Sequence, residues 1–311
     1  MKVTVVGAGH VGATCAQRLV ESRLCDVYLV DVVEGLAKGT ALDIMQAAPV
    51  LRHSCRIAGG ESYDGAEGSQ VVVITAGIPR KPGMSRDDLL HTNGDIVTDV
   101  AQNLKQHCPG AIVVMVSNPL DVTTHIVSEI LEQPRQRVMG MAGILDTARF
   151  CTFIAMELGV SAADVTAMVL GGHGDTMVPL PRHASVSGVP VTELIAPDRL
   201  AQIVARTTDG GAEIVSYLKT GSAFYAPSAA VVQMVRAILR DEKRVLPCSV
   251  MLQGEYGLNN VFVGVPTVLG AAGAEQVLEL DLTDGELNAL RASAAAVQAT
   301  VGEWERLRVS S

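Results

Sequence analysis

One short stretch limits what this chain can fold into. Val3-Thr4-Val5-Val6 runs without a break into Gly7-Ala8-Gly9-His10-Val11-Gly12, and Ala13 to Glu21 then reads as a helix. In such a unit the first glycine makes a tight turn, the second lets backbone approach a pyrophosphate, and the third lets helix and strand pack closely. The helix start adds free N–H groups and the positive end of its dipole. The next β-run, Asp26-Val27-Tyr28-Leu29-Val30, ends in Asp31, close to the ~20-residue offset at which a carboxylate grips a ribose 2′-hydroxyl. These residues predict a dinucleotide site with NAD preferred over NADP. A 2′-phosphate would face the charge of Asp31, and Val32 and Val33 offer no cation to offset it.

The first half continues in alternation. Gly35 to Gln46 has helical spacing that Pro49 is expected to close, and Ser54 to Ala58 is a weaker strand. Gln70 to Thr75 and Ala111 to Val116 are unbroken β-branched runs, the kind that a parallel sheet covers on both faces. Between them, Ile78 to Arg86 is a loop with two prolines and three cations, and Asp87 to His107 is helical. A helix from about Val122 to Leu131 and a strand at Arg137 to Met141 complete the series.

The second half changes character. A helix is expected from Thr147 to Leu158, a strand from Val165 to Leu170, helices between about Asp198 and Arg240, and strands within Arg244 to Glu279. Thr283 with Glu286 forms a capping box for a last helix, whose stripe Leu287, Leu290, Ala294, Val297, Val301 and Trp304 is core packing. The fold class is therefore α/β. A doubly wound parallel-sheet dinucleotide-binding domain over residues 1–142 precedes an α+β substrate-binding domain over 143–311.

Composition removes other classes. A formal charge of -9 argues against nucleic acid or an anionic membrane as partner, so any anionic substrate needs local cations. No apolar run approaches the ~18 residues of a spanning helix, and the glycine turn follows the first strand directly, so no leader peptide is expected unless one has already been removed. A soluble, cytoplasmic protein is expected. The six cysteines have neither paired nor metal-ligand spacing and read as reduced filler, with no metal site.

Four places outside the glycine turn carry candidate chemistry. Gly171-Gly172-His173-Gly174-Asp175 follows a strand, and its imidazole is either a proton carrier that substrate can approach closely or a structural loop histidine. In Leu145-Asp146-Thr147-Ala148-Arg149, Asp146 either caps a helix or orients His173, and Arg149 is either a surface cation or a bidentate clamp for a carboxylate. The loop Pro79-Arg80-Lys81-Pro82-Gly83-Met84-Ser85-Arg86 is either a solvated basic loop or a lid that brings charge to an anion. Asn118 is either a turn residue before proline or an amide aimed at ligand.

Taken in order and spacing, GAGHVG (Gly7 to Gly12), Asp31, TAGIPRKPGMSR (Thr75 to Arg86), SNPLD (Ser117 to Asp121), LDTAR (Leu145 to Arg149) and GGHGD (Gly171 to Asp175) resemble the lactate/malate dehydrogenase family over essentially the whole chain. The resemblance implies a Rossmann domain holding NAD through Gly7, Gly9, His10, Val11, Gly12, Asp31, Thr75, Ala76, Gly77, Asn93, Val116 and Asn118. It implies His173 as base, Asp146 as its partner and Arg86 as the residue that polarises the carbonyl. Arg149, Arg80, Arg86, Asn118 and, in the wall Gly221-Ser222-Ala223, Ser222 would contact substrate.

The position of Arg80 selects substrate in this family: lactate dehydrogenases typically carry glutamine there and malate dehydrogenases arginine. A second substrate carboxylate needs a cation, and a methyl group would leave that cation buried without a partner. The expected substrate is malate or oxaloacetate, with a lactate or other 2-hydroxyacid dehydrogenase as the alternative. GGHGD is similar to the lactate dehydrogenase loop and differs from the GGHSG usual in mitochondrial-type malate dehydrogenases. The resemblance also implies a homodimer or homotetramer. A short-chain dehydrogenase would need lysine four residues after tyrosine, which none of the five tyrosines has.

Overall fold

The computed structural model describes residues 1–79 and 84–310. Its first half comprises β1 (Lys2–Val6), α1 (His10–Glu21), β2 (Asp26–Val30), α2 (Leu36–Leu51), β3 (Ile57–Gly60), β4 (Val71–Ile74), α3 (Arg86–His107), β5 (Ile112–Met115), α4 (Leu120–Leu131) and β6 (Val138–Gly140). The strands lie side by side in the order β3-β2-β1-β4-β5-β6, all parallel. Every residue of β4 and β5 is buried, as their uninterrupted aliphatic sequences require.

The strand order reverses between β1 and β4, where open α/β sheets bind ligands at the carboxyl ends of the strands. Register brings those ends level. Val6 pairs with Val30 and with Ile74, and Ile74 with Met115. The ladder continues through Gly7 N–H to the Val30 carbonyl (2.7 Å), Thr75 N–H to Val6 (2.8 Å) and Val116 N–H to Ile74 (2.9 Å). Gly7, Asp31, Thr75 and Val116 therefore stand along one edge.

The second half comprises α5 (Gly143–Leu158), β7 (Val165–Thr166), β8 (Val169–Leu170), β9 (Val178–Pro179), β10 (Ser185–Val186), β11 (Val189–Pro190), α6 (Val191–Leu194), α7 (Pro197–Leu218), α8 (Tyr225–Leu239), β12 (Arg244–Gln253), β13 (Asn259–Gly270), β14 (Gly273–Val277) and α9 (Asp284–Ser310). The antiparallel meander β12-β13-β14 joins the parallel sheet through Ser249 of β12 opposite Gly140 of β6, giving nine strands in one sheet. The halves thus share a backbone ladder. Two small sheets, β11-β10-β7 and β8-β9, lie outside it.

Three apolar clusters fill the spaces. One gathers α1, α2, α8 and the inner residues of β12 and β13; a second joins α3 and α4 to the other side of β4 and β5. Trp304 of α9 is held in the second cluster, and only glycine at 94 admits it, since a Cβ there would meet its ring at 2.2 Å. The third packs Phe150 and Ile154 of α5 against Leu200 and Ile203 of α7. Each such large side chain contributes roughly 1.5–3 kcal/mol when fully buried.

Local expectations needed correction in three places. Helix α2 runs past Pro49 to Leu51, because proline removes one hydrogen bond but its φ suits a helix, and the turn closes on Arg52 N–H to the Ala48 carbonyl. The strand expected from Val165 to Leu170 is two strands serving different sheets. Helix α5 begins at Gly143, four residues before Thr147, so Asp146 lies inside its first turn and does not cap it.

All six cysteines are free, and burial pushes the Cys15 thiol up to about 12. Among the described residues no helix is long and apolar enough to cross a membrane.

Candidate active site

The glycine turn is shaped by close contacts. Gly7 has φ +99°, and a Cβ on it would lie 2.7 Å from Thr75 Oγ1. A Cβ on Gly12 would lie 1.8 Å from the Gly7 carbonyl oxygen, so α1 can pack on the turn only with glycine there. Gly9, by contrast, faces open space: nothing lies within 4 Å of its Cβ position. It is the N-cap of α1 and makes no side-chain cap, so the first N–H groups of the helix remain for an anion.

Asp31 ties this turn to the end of β2. Its Oδ2 accepts from the Ala8 N–H at 2.6 Å and its Oδ1 from the Val33 N–H at 2.9 Å. At the helix start, His10 is exposed and stacks on Phe224, centroids 5.1 Å apart, which draws the segment between α7 and α8 over the turn. Thr75 Oγ1 lies 3.1 Å from the carbonyls of both Val6 and Gly7, and the hydroxyl of Ser117 donates to Ala76 at 2.5 Å.

Val116 is half-buried and Asn118, joined to Pro119 by a cis peptide, is exposed at the same edge. Asn93 is different. It is 1% exposed, and its amide is taken up by backbone: Oδ1 accepts from Ile78 N–H at 2.8 Å, while Nδ2 donates to the carbonyls of Ile78 (3.1 Å) and Asn118 (2.7 Å). It braces the loops after β4 and β5 against each other, beside Gly77 at φ +153°.

Next to this edge, α5 presents a charged cluster. Gly143 lets the start of α5 close on β8, where a Cβ would lie 2.5 Å from the Val169 carbonyl, and Thr147 Oγ1 accepts from the Val169 N–H at 3.0 Å. Asp146, 1% exposed, then reaches the loop after β8: its Oδ2 lies 2.9 Å from His173 Nδ1. Its Oδ1 accepts from Arg149 Nη1 at 3.0 Å. Removing one partner from so buried a group costs about 3–5 kcal/mol.

The carboxylate can only accept, so it holds the proton on Nδ1 and leaves Nε2 of neutral His173 free to take another. Burial pulls the imidazole pKa down, but the charge and hydrogen bond of Asp146, with the charge of Asp121, outweigh it. Against the opposing charge of Arg149 the net shift is upward. Arg149 lies along α7 at Gly210 and Gly211, where a Cβ at 210 would be 3.1 Å from its Cδ, and its Nε has no hydrogen-bond partner among the described residues.

The histidine loop is pinned at several points. Gly171, at φ +90°, exchanges both backbone hydrogen bonds with Gly264 of β13 at 2.9 Å, and the Gly172 N–H donates to Ser293 Oγ of α9 at 2.8 Å.

Three expected site residues stand apart. Arg80 lies outside the described residues, and so does the side chain of Arg86, whose backbone opens α3 behind a Ser85/Asp88 capping box. Ser222 is exposed in the segment between α7 and α8, with no hydrogen bond to the cluster among the described residues. Two contacts had not been anticipated. Phe224 follows the Gly221-Ser222-Ala223 wall in a chain poor in aromatics, a usable signal; nothing in the sequence paired Ser293 with Gly172.

A nucleotide turn at a sheet switch point, beside an imidazole paired with a buried carboxylate, defines an NAD-dependent dehydrogenase. Residues 1–140 match the family model for the lactate/malate dehydrogenase NAD binding domain and residues 144–306 that for the lactate/malate dehydrogenase alpha/beta C-terminal domain. The chain is 54% identical over 300 residues to the malate dehydrogenase of Roseiflexus sp. (strain RS-1), covering 96% of this chain and 97% of that one. The 1.55 Å structure of malate dehydrogenase from Salinibacter ruber superposes with a TM-score of 0.96 at 46% identity, covering 100% and 99%. Lactate dehydrogenase from Cryptosporidium parvum, solved with lactic acid and nicotinamide adenine dinucleotide, gives 0.95 at 40% identity, covering 98% of each chain. The chain belongs to the lactate/malate dehydrogenase family.

Proposed function

We propose that this protein catalyses the reversible oxidation of (S)-malate to oxaloacetate with NAD. The observation that carries the reading is the Asp146 carboxylate held between His173 Nδ1 and Arg149 Nη1, beside the glycine turn. Solved relatives of the fold include both malate and lactate dehydrogenases, so the fold alone does not choose the substrate. Arg80 makes the choice: its cation matches a second carboxylate and rejects a methyl group.

The turn fits the cofactor, with open space at Gly9, an uncapped helix start and Asp31 at the end of the neighbouring strand. Gly7, Gly9, His10, Val11 and Gly12 would hold the pyrophosphate and Asp31 the adenosine ribose. Thr75, Ala76, Gly77, Val116 and Asn118 would line the rest, with Asn93 bracing them. When bound, NAD supplies the hydride acceptor.

The protein's own work is positioning and proton transfer. Arg149 spends one of its donors on Asp146 and grips the substrate C1 carboxylate with its remaining fork. His173 Nε2 takes the C2 hydroxyl proton, and Asp146 keeps the ring oriented and stabilises the imidazolium. Arg86 polarises the carbonyl in the reverse direction, Asn118 donates to the reacting oxygen, and Ser222 belongs to the pocket wall.

We place the division between cofactor and substrate domains at residue 142 and the protein in the cytoplasm. It self-associates as a homodimer or homotetramer, supported by the exposed Leu36, Leu42, Val50 and Leu51 of α2. His173→Asn tests the reading: NADH oxidation by oxaloacetate is expected to vanish while NADH binding survives, and retained turnover would refute it.

A further inference from the structure

The Ser117 to Asp121 motif contains an acid that this scheme leaves idle. Asp121 stands in the first turn of α4, 4% exposed, within a run from Leu120 to Thr124 that is buried throughout. A carboxylate there is costly unless its oxygens find donors. Both do: Oδ2 accepts the backbone N–H of His173 at 2.8 Å, and Oδ1 accepts the Ser249 hydroxyl at 2.6 Å. Three elements meet on it, namely α4, the histidine loop and β12. Gly172 is shaped to the same contact, since a Cβ there would lie 3.2 Å from Oδ2.

Resting on the assignment of His173 as the proton acceptor, we infer that Asp121 is a positioning residue for it. Asp121 fixes the backbone at residue 173 and, as a second carboxylate beside Asp146, favours the imidazolium form. Asp146 holds the ring and Asp121 holds the chain that carries it. Among the described residues three charged groups act on the imidazole: Asp146 and Asp121 favour its protonated form and Arg149 opposes it. Burial raises the carboxyl of Asp121 against the pull of the Ser249 hydroxyl, the His173 amide and the imidazole charge, with Asp146 adding to the rise. Both hydrogen bonds favour the ionised form.

Asp121→Asn separates charge from geometry. The amide oxygen still accepts from the His173 N–H and the amide nitrogen donates to Ser249 Oγ, so both contacts survive without the charge. The measurement is kcat/KM for oxaloacetate reduction against pH in both proteins. Reduction needs the imidazolium, so its rate falls as pH rises through the His173 pKa.

Loss of the Asp121 charge is expected to move that midpoint down by about one pH unit, with thermal midpoint and NADH affinity retained. A purely structural Asp121 would scale the rate equally at every pH, and an unmoved midpoint overturns the inference. If the asparagine variant does not fold, Asp121→Thr carries the test, its hydroxyl keeping a neutral acceptor for the His173 N–H. The midpoint is expected to move the same way, and no movement again overturns the inference. Full turnover in His173→Asn would instead refute the assignment of the base, and this inference with it.

Discussion

Nδ1 of His173 lies 2.9 Å from Oδ2 of Asp146, across the gap between the loop after β8 and the first turn of α5. Because the other carboxylate oxygen holds Arg149 at 3.0 Å, one buried acid sets the place of both the proposed proton acceptor and the proposed carboxylate clamp. Asp146→Asn removes the charge that stabilises imidazolium and breaks this bridge. It is expected to lower kcat by roughly 10²–10⁴-fold, with a rise in KM for the 2-oxoacid because Arg149 loses its anchor. Steady-state kinetics on the folded variant checks this; a change in KM alone would remove His173 from the account.

The raised pKa of His173 fixes the sign of the pH dependence. With His173 as the proposed base, its imidazolium is the acid for oxaloacetate reduction, so reduction is expected to be full below the raised pKa and to fall as pH rises through it. Malate oxidation needs the neutral ring and is expected to rise over the same interval. The midpoint should lie above the ordinary histidine value of 6.5. Rate profiles in both directions check it, and opposite limbs that cross below that value would contradict it.

The glycines of the turn should separate folding from binding. At Gly12 a Cβ would overlap the Gly7 carbonyl, so Gly12→Ala is expected to lower stability by about 1–3 kcal/mol and to be seen in thermal unfolding. At Gly9 the Cβ would meet nothing, so Gly9→Ala is expected to leave the melting temperature unchanged while weakening NADH binding, read by fluorescence titration. Equal thermal effects would contradict the assigned roles.

Asp31→Ala is expected to weaken NADH binding more than it lowers kcat at saturating cofactor. It also removes acceptors from the Ala8 and Val33 N–H groups, so a modest thermal shift accompanies it. An unchanged NADH dissociation constant would reduce Asp31 to a structural tie.

Much of this arrangement was legible in the sequence. Strands β4 and β5 are covered on both faces, which forces the uninterrupted aliphatic runs that betray them, and the turn after β1 needs glycine for steric reasons. The nine-stranded sheet was not legible, because the pairing of Gly140 with Ser249 joins strands distant in sequence through two small residues. The two-residue strands β7 to β11 are too short to carry a period. Asn93 was expected to hold NAD and Asp121 closed the turn before an expected helix; neither signalled its backbone partners, since only the folded chain decides which loop backbones they satisfy.

In the proposed function the cation of Arg80 chooses the substrate. The most direct test is the ratio of kcat/KM for oxaloacetate over pyruvate, from initial rates of NADH oxidation at neutral pH, in the wild type and in Arg80→Gln. A strong preference for oxaloacetate is expected in the wild type, collapsing toward pyruvate in the variant. A wild type that prefers pyruvate, or a ratio that Arg80→Gln leaves unchanged, would contradict it.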